Sequence, residues 1–325
     1  MENLDAIEVL PEVEEVRVPN IVCVRTVASV RPSTKWKKTK RCIYNRETKA
    51  IFGRTCADWG RLGLFYLVFN ALLAAVFAIG IKVLLSTMDT NAPKWKLEES
   101  LIGTNPGLGF RPFSLEDGAL IQYSLQNTST AEKWVKLLDT FLEPYENYTD
   151  RDNIQNCTFK IRPKRNHVCM VDLKKFGPCQ AQYKYGYGSS SPCIFIKLNR
   201  IFKWVPRFYK EGKSDMPRDL RFNIKKLSLK KRKQIWISCR GEDPIDNENL
   251  QGFQYYPSRG LPGYFYPYLN VKNYLSPLVA VRVMKPRQNV LINIECRAWA
   301  RNIYYKRSKQ DRQGSVHFEI LIRNN

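Results

Sequence analysis

Nine cysteines, two histidines and three N-x-S/T sequons are the residues of this 325-residue chain whose types and spacing could carry chemistry. Cys157, Cys169, Cys179, Cys193, Cys239 and Cys296 form an even set, while Cys23, Cys42 and Cys56 lie near the N-terminus. No pair has the C-x-x-C spacing of redox or zinc sites. In an oxidising compartment the even set reads as three disulfides, with 15 connectivities open. The sequons are Asn127-Thr-Ser, Asn147-Tyr-Thr and Asn156-Cys-Thr. Each is an acceptor for an N-glycan if it faces the secretory lumen. Asn156 is the least favoured, because its middle residue belongs to the disulfide set. His167 and His317 have no nucleophile near them in sequence. Asp243, Asp246 and Glu248 lack the spacing of an EF-hand and read as a solvated loop. The chain contains no G-x-x-x-x-G-K, G-x-S-x-G or H-E-x-x-H pattern. These residues therefore point to a binding or structural protein, with no catalytic, cofactor or metal residue assigned and no cofactor expected.

The compartment of these residues is decided by one stretch, Leu62 to Leu85. From Leu62 to Ile81 it is uncharged and mostly apolar. As a helix those residues rise about 30 Å, the thickness of a bilayer's hydrocarbon core. The stretch lies too far into the chain to be a cleavable signal peptide, so it reads as a signal-anchor. Arg31 to Arg61 holds ten Lys/Arg against Glu47 and Asp58. That excess puts the N-terminus in the cytosol and everything after the span in the lumen, then outside the cell. The expected organisation is a cytoplasmic tail over 1–61, a span over 62–85, a Gly- and Pro-containing stalk over 86–125 and a disulfide-bonded domain over 126–325. The six later cysteines and all three sequons fall on the oxidising side.

The formal net charge of +23 suggests nucleic acid at first sight. The topology excludes it. The run Lys225, Lys226, Lys230, Lys231, Arg232, Lys233 then reads as a solvated face, and an acidic extracellular partner or anionic headgroups is the alternative.

Other elements follow from periodicity. Residues 1–30 read as a flexible tail, and 35–61, with Trp36, Tyr44 and Trp59, suit the inner membrane surface. In the span, Tyr66, Phe69, Asn70, Leu73 and Phe77 share one helical face, and Ala71, Ala74, Ala75 and Ala78 another, about 120° around. An amide in hydrocarbon seeks a partner, so the Asn70 face is expected to meet another helix rather than lipid. Ser129 to Glu132 reads as a capping box. The helix behind it, carrying Trp134, Leu137, Leu138, Phe141 and Leu142, is expected to close at Pro144. Pro192–Leu198, Ile235–Cys239, Val279–Val283, Val290–Ala300 and Val316–Ile322 read as strands. Their alternation means antiparallel sheet on a core, with Asn293, Glu295, Arg297 and Trp299 on the polar face. A sandwich with one flanking helix fits best.

These residues resemble the β subunits of sodium/potassium-transporting ATPases. The resemblance runs from about Trp36 to the C-terminus. It rests on Tyr44-Asn45, Gly53-Arg54-Thr55 and Trp59, then Phe65-Tyr66-x-x-Phe69 with Leu73-Ala74 and Phe77. It continues through Asp89, Pro93, Trp95, Pro106 to Pro112, Pro192 to Ile201, Tyr266-Pro-Tyr268, Leu278 to Val281, Ile294 to Arg297 and Asn302-Ile303. The family pattern has tyrosine where this chain has Asn70. The resemblance implies an immunoglobulin-like extracellular sandwich on one membrane helix at the plasma membrane. It implies a non-catalytic partner of the pump's catalytic α subunit, aiding its folding and surface delivery and tuning sodium and potassium transport. It implies the pairs Cys157–Cys169, Cys179–Cys193 and Cys239–Cys296, and a helix face for α at Tyr66, Phe69 and Phe77. Two other functions compete: a cell–cell adhesion or junction glycoprotein of the same fold, and a lectin-like type II receptor. The Gly/Pro stalk and Gly53-Arg-Thr count against the receptor.

Overall fold

The computed structural model describes residues 43–45, 49–89, 91–146, 152–308 and 311–324. Residues 1–30, Cys23, Trp36, Cys42 and Asn147 lie outside them. The chain divides into two units, 1–87 and 88–325.

In the first unit β1 (Tyr44–Asn45) pairs antiparallel with β2 (Ala50–Ile51), and helix α1 (Cys56–Ser86) follows. Gly53 makes the intervening turn at φ 77°, where a side chain would be strained. Thr55 caps the helix: its hydroxyl accepts the Asp58 N–H at 3.3 Å, and the Asp58 carboxylate accepts the Thr55 N–H at 3.4 Å. The Trp59 indole donates to the Ile51 carbonyl at 2.9 Å, tying hairpin to helix. With 31 residues, α1 is long and apolar enough to cross a membrane, and it starts at Cys56 rather than Leu62. None of its residues is buried by the rest of the chain.

The second unit is a two-sheet sandwich. In chain order its elements are β3 (Leu108–Arg111), β4 (Leu120–Ser124), α2 (Thr128–Glu146), β5 (Ile154–Gln155), β6 (Val168–Cys169), β7 (Cys193–Leu198), α3 (Arg218–Lys226), β8 (Gln234–Gly241), α4 (Pro244–Glu248), β9 (Phe253–Tyr256), β10 (Gly260–Pro262), β11 (Val279–Val283), β12 (Ile292–Trp299) and β13 (Ser315–Arg323). One sheet runs β10-β8-β12-β13-β4 and the other β3-β7-β11-β9. Ile292, Ile294, Cys296 and Ala298 of β12 point into the core with Phe318, Ile320 and Ile322 of β13, all buried. Phe110 of β3 meets Phe318 across the sheets at 5.3 Å between ring centroids. Strand β7 shows no alternation because it is covered on both sides. The Phe195 ring there is capped by Phe176 and Tyr185 from the segment before it.

The sequence reading needs several corrections. Residues 108–124, assigned to the stalk, supply β3 and β4, so the sandwich begins earlier than 126. The β13–β4 pair is parallel; the other sandwich pairs are antiparallel. Helix α2 starts at Thr128, so Ser129 is not its cap; Asn127 Oδ1 accepts the Ser129 N–H at 3.2 Å. The helix also runs through Pro144 to Glu146, where the Tyr145 hydroxyl is held by the Ser276 carbonyl at 3.0 Å. Asp243 and Asp246 form the capping box of α4, and buried Asp246 accepts the Asn293 N–H at 3.0 Å. A backbone donor in need of a partner, not solvent, claims that carboxylate.

Three disulfides brace the domain: Cys157–Cys169, Cys179–Cys193 and Cys239–Cys296. The last joins residues directly opposite on β8 and β12, with Cα atoms 4.0 Å apart. It thus lies within one sheet, unlike the bridge between sheets of antibody domains. It spans 57 residues of chain, against 12 and 14 for the others. Loop closure assigns it about 4 kcal/mol and the shorter bridges about 3 kcal/mol each. The double variant Cys239→Ala/Cys296→Ala should therefore show the largest loss of thermal stability of the three pairwise removals. A lower melting temperature for Cys157→Ala/Cys169→Ala would show that loop length does not set the order.

Candidate functional site

Tyr66, Phe69, Asn70, Leu73 and Phe77 are all exposed on α1. Phe65 and Phe69 stack at 6.2 Å, and Phe65 meets Tyr66 edge-on at 5.5 Å, so the aromatic side is pre-arranged. Asn70 Nδ2 donates to the Tyr66 carbonyl one turn earlier at 2.7 Å. That bond uses one of the two N–H donors of the amide inside the helix. The carbonyl oxygen Oδ1 remains to accept, which is costly in hydrocarbon unless another chain supplies a donor.

The sequons differ in setting. Asn127 is exposed at the start of α2, and Ser129 Oγ donates to its Oδ1 at 2.6 Å. Asn156 is exposed beside the buried, bridged Cys157, and its Thr158 hydroxyl accepts the Lys160 and Ile161 N–H groups. Asn147 is outside the described residues.

The sequence reading missed a cluster of charges on the outer side of the five-stranded sheet. Glu295 of β12 sits opposite Arg240 of β8 and His317 of β13. Counted on the polar face, it is instead 1% exposed. Arg240 Nη2 lies 3.2 Å from Glu295 Oε2, and the Tyr305 hydroxyl lies 3.0 Å from both carboxylate oxygens. Arg312 reaches Glu242 at 2.7 Å and Glu295 at 3.7 Å. His317 Nδ1 lies 2.6 Å from Glu242 Oε2, off the line of a hydrogen bond, and Nε2 lies 3.3 Å from Glu319. Pairing of this kind braces strands. Among the described residues no three His, Cys, Asp or Glu are grouped to hold a metal ion.

Fold and site together define a class: a chain with, among the described residues, one membrane-length helix that buries none of its residues, and a disulfide-braced sandwich. The family model "Sodium / potassium ATPase beta chain" matches residues 30–318. The chain is 45% identical over 282 residues to sodium/potassium-transporting ATPase subunit beta-1 of Drosophila melanogaster, covering 86% of this chain and 91% of that one. It is 43% identical over 302 residues to subunit beta-2 of the same organism, covering 89% and 93%. Against human subunit beta-2 it is 29% identical over 306 residues, covering 87% and 93%. The chain belongs to the sodium/potassium ATPase β-chain family.

The charge cluster gives a pH dependence. Burial opposes ionisation of Glu242, but Arg312 and His317 beside it prevail and hold its pKa below the usual glutamate value. A carboxylate with a lower pKa folded than unfolded binds fewer protons when folded. Its stabilisation is complete above the unfolded value, about 4.3, and is lost as pH falls through the folded value. Glu242→Gln should lower the melting temperature at neutral pH and flatten its fall between about pH 5 and pH 3. Melting curves with unchanged pH dependence would remove Glu242 from this role.

Proposed function

We propose that this chain is the non-catalytic β subunit of a sodium/potassium pump. It assists folding, assembly and surface delivery of the catalytic α subunit and modulates sodium and potassium transport. ATP hydrolysis and ion binding belong to α. The observation that carries this reading is the bare aromatic face of α1 in a chain of this family. A helix that buries nothing in its own fold is available to a partner helix. Tyr66, Phe69, Asn70, Leu73 and Phe77 form the contact, with Asn70 Oδ1 accepting from α. The N-terminus is cytoplasmic and the sandwich extracellular at the plasma membrane, supported by the excess of Lys/Arg before the span. The adhesion reading keeps one observation in its favour, a lysine-rich surface on the sandwich.

Co-purification of α in mild detergent tests the proposal and separates the two readings. Asn70→Leu removes an interhelical hydrogen bond of about 0.6–2 kcal/mol, so recovery of α should fall about threefold or more. Asn70→Tyr replaces the amide with an aromatic surface and should preserve or strengthen recovery. If both variants recover α like wild type, Asn70 is outside the contact. Recovery of no α by wild type would leave adhesion as the better reading.

Orientation has its own test. Glycosidase treatment should shift the mobility of the wild-type chain, and Asn127→Gln with Asn147→Gln should abolish the shift. A chain without glycans, whose N-terminus is cut by protease on intact cells, would reverse the topology.

A further inference from the structure

Between β7 and β8 the chain builds a small module on the outer side of the five-stranded sheet. Met216, Leu220 and Ile224 pack there on Trp236 and Trp299 as a hydrophobic cluster separate from the main core. Polar contacts hold it down. Arg259 of the sheet side pairs with Asp219, and Arg297, stacked between Trp299 and Tyr305 at 3.5 and 3.9 Å, faces Asp215 at 3.7 Å. The turn after α3 is fixed from within. Arg232 donates through all three of its nitrogens, to the carbonyls of Leu227 at 2.8 Å, Lys210 at 2.8 Å and Lys225 at 3.0 Å.

That arrangement leaves Lys225, Lys226, Lys230, Lys231 and Lys233 exposed on one short stretch. None of the five has a carboxylate partner among the described residues, and 220–241 contains no Asp or Glu. Lys226 covers the Phe222 ring at 4.3 Å. Favourable contact with the C-terminal end of α3 accounts for Lys225 and Lys226. It does not account for Lys230, Lys231 and Lys233, which lie beyond the helix, or for the rigid turn that presents them.

We propose that these five lysines form a binding surface for a sulfated glycosaminoglycan. The inference rests on the extracellular orientation of the sandwich. Exposed ammonium groups on a helix end and the following turn suit a stiff linear polyanion, which offers charge along its length and needs no fitted cavity. Lysine is a strongly hydrated point charge, matched to sulfate without the bidentate geometry that arginine imposes. Lipid fits less well, because anionic headgroups concentrate in the cytoplasmic leaflet.

The full chain in neutral detergent should bind immobilised heparin at about 0.15 M salt, weakening linearly with the logarithm of salt concentration as counterions are released. Changing all five lysines to Gln should lower affinity about tenfold or more and make the salt slope shallower. The triple variant Lys230→Gln/Lys231→Gln/Lys233→Gln, which leaves α3 intact, should lose an intermediate share. A charge-matched control, with Lys160, Arg162, Lys164, Arg165 and Lys174 all changed to Gln, should stay within about threefold of wild type. The proposal fails if heparin does not bind, if the two five-residue variants lose affinity equally, or if fully desulfated heparin binds as well. It also fails if phosphatidylserine vesicles, and not heparin, are retained through these lysines. Loss of heparin binding with Asn127 glycosylated sinks this inference alone. Heparin binding by a chain that carries no glycan, and whose N-terminus is cut by protease on intact cells, sinks the orientation, and the extracellular ligand with it.

Discussion

Two-sided burial of β12 is the constraint on which the sandwich depends. Its inward residues, Ile292, Ile294, Cys296 and Ala298, fill the space between the sheets. Its outward residues are claimed just as fully. Glu295 is enclosed by Arg240, Tyr305 and Arg312, Arg297 is stacked on two rings, and the Trp299 indole donates to Ser238 Oγ at 2.7 Å. A buried carboxylate without partners would cost several kcal/mol, so the loop carrying Tyr305 and Arg312 is obliged to fold over the sheet. The module around α3 is held there for the same reason, because Trp236 and Trp299 need cover. The Cys239–Cys296 bridge then fixes the register of β8 on β12. A slip of one residue would reverse both faces at once.

How much of this was legible in the sequence depended on whether one residue or its neighbours set the outcome. The span, the body of α2 and the inward faces of β12 and β13 are written as local periods, and the structure has them. Strands β3 and β4 were not legible. Leu108–Arg111 is four residues long between glycines and Pro112, and its partner β7 lies some ninety residues away. Helix α3 is mostly charged, and only Leu220 and Ile224 mark its buried side. Glu295 looked like a polar-face residue because alternation says which side a residue is on, not what covers that side. Register places Arg240 and His317 beside it, and register is not a local property. The Asp243–Asp246 capping box was legible in principle: Asp-Pro with a second acid three residues after the first is a helix start.

The two units divide the work. The sandwich pairs its buried carboxylates within itself, Glu295 with Arg240 and Arg312, and Glu242 with Arg312. Helix α1 is the reverse, apolar all round and burying nothing in its own chain. A bilayer answers most of that surface, but not Asn70, whose carbonyl oxygen lipid cannot satisfy. On the proposed contact face that oxygen lies close to the stacked aromatics. That is the distribution expected of a subunit that assembles within the membrane and folds independently outside it.

The large positive charge is not spread without distinction. Arg232, Arg240, Arg259, Arg297 and Arg312 are spent inward, on carbonyls, buried carboxylates and aromatic rings. A planar guanidinium with a fixed fork of donors can hold several groups together at once, and it tolerates stacking. The exposed lysines of 225–233 hold no carboxylate among the described residues, and Lys226 covers the Phe222 ring. Structural demand explains the arginines and leaves Lys230, Lys231 and Lys233 over. Arg232 shows the division within a single turn: its guanidinium gathers three carbonyls, and by fixing that turn it holds the lysines around it out in solvent. Mutual repulsion among five neighbouring ammonium groups is a standing cost to the folded state. A polyanion laid across them would turn that cost into binding energy, which is why this surface, and not the total of +23, is the part of the charge that calls for a ligand.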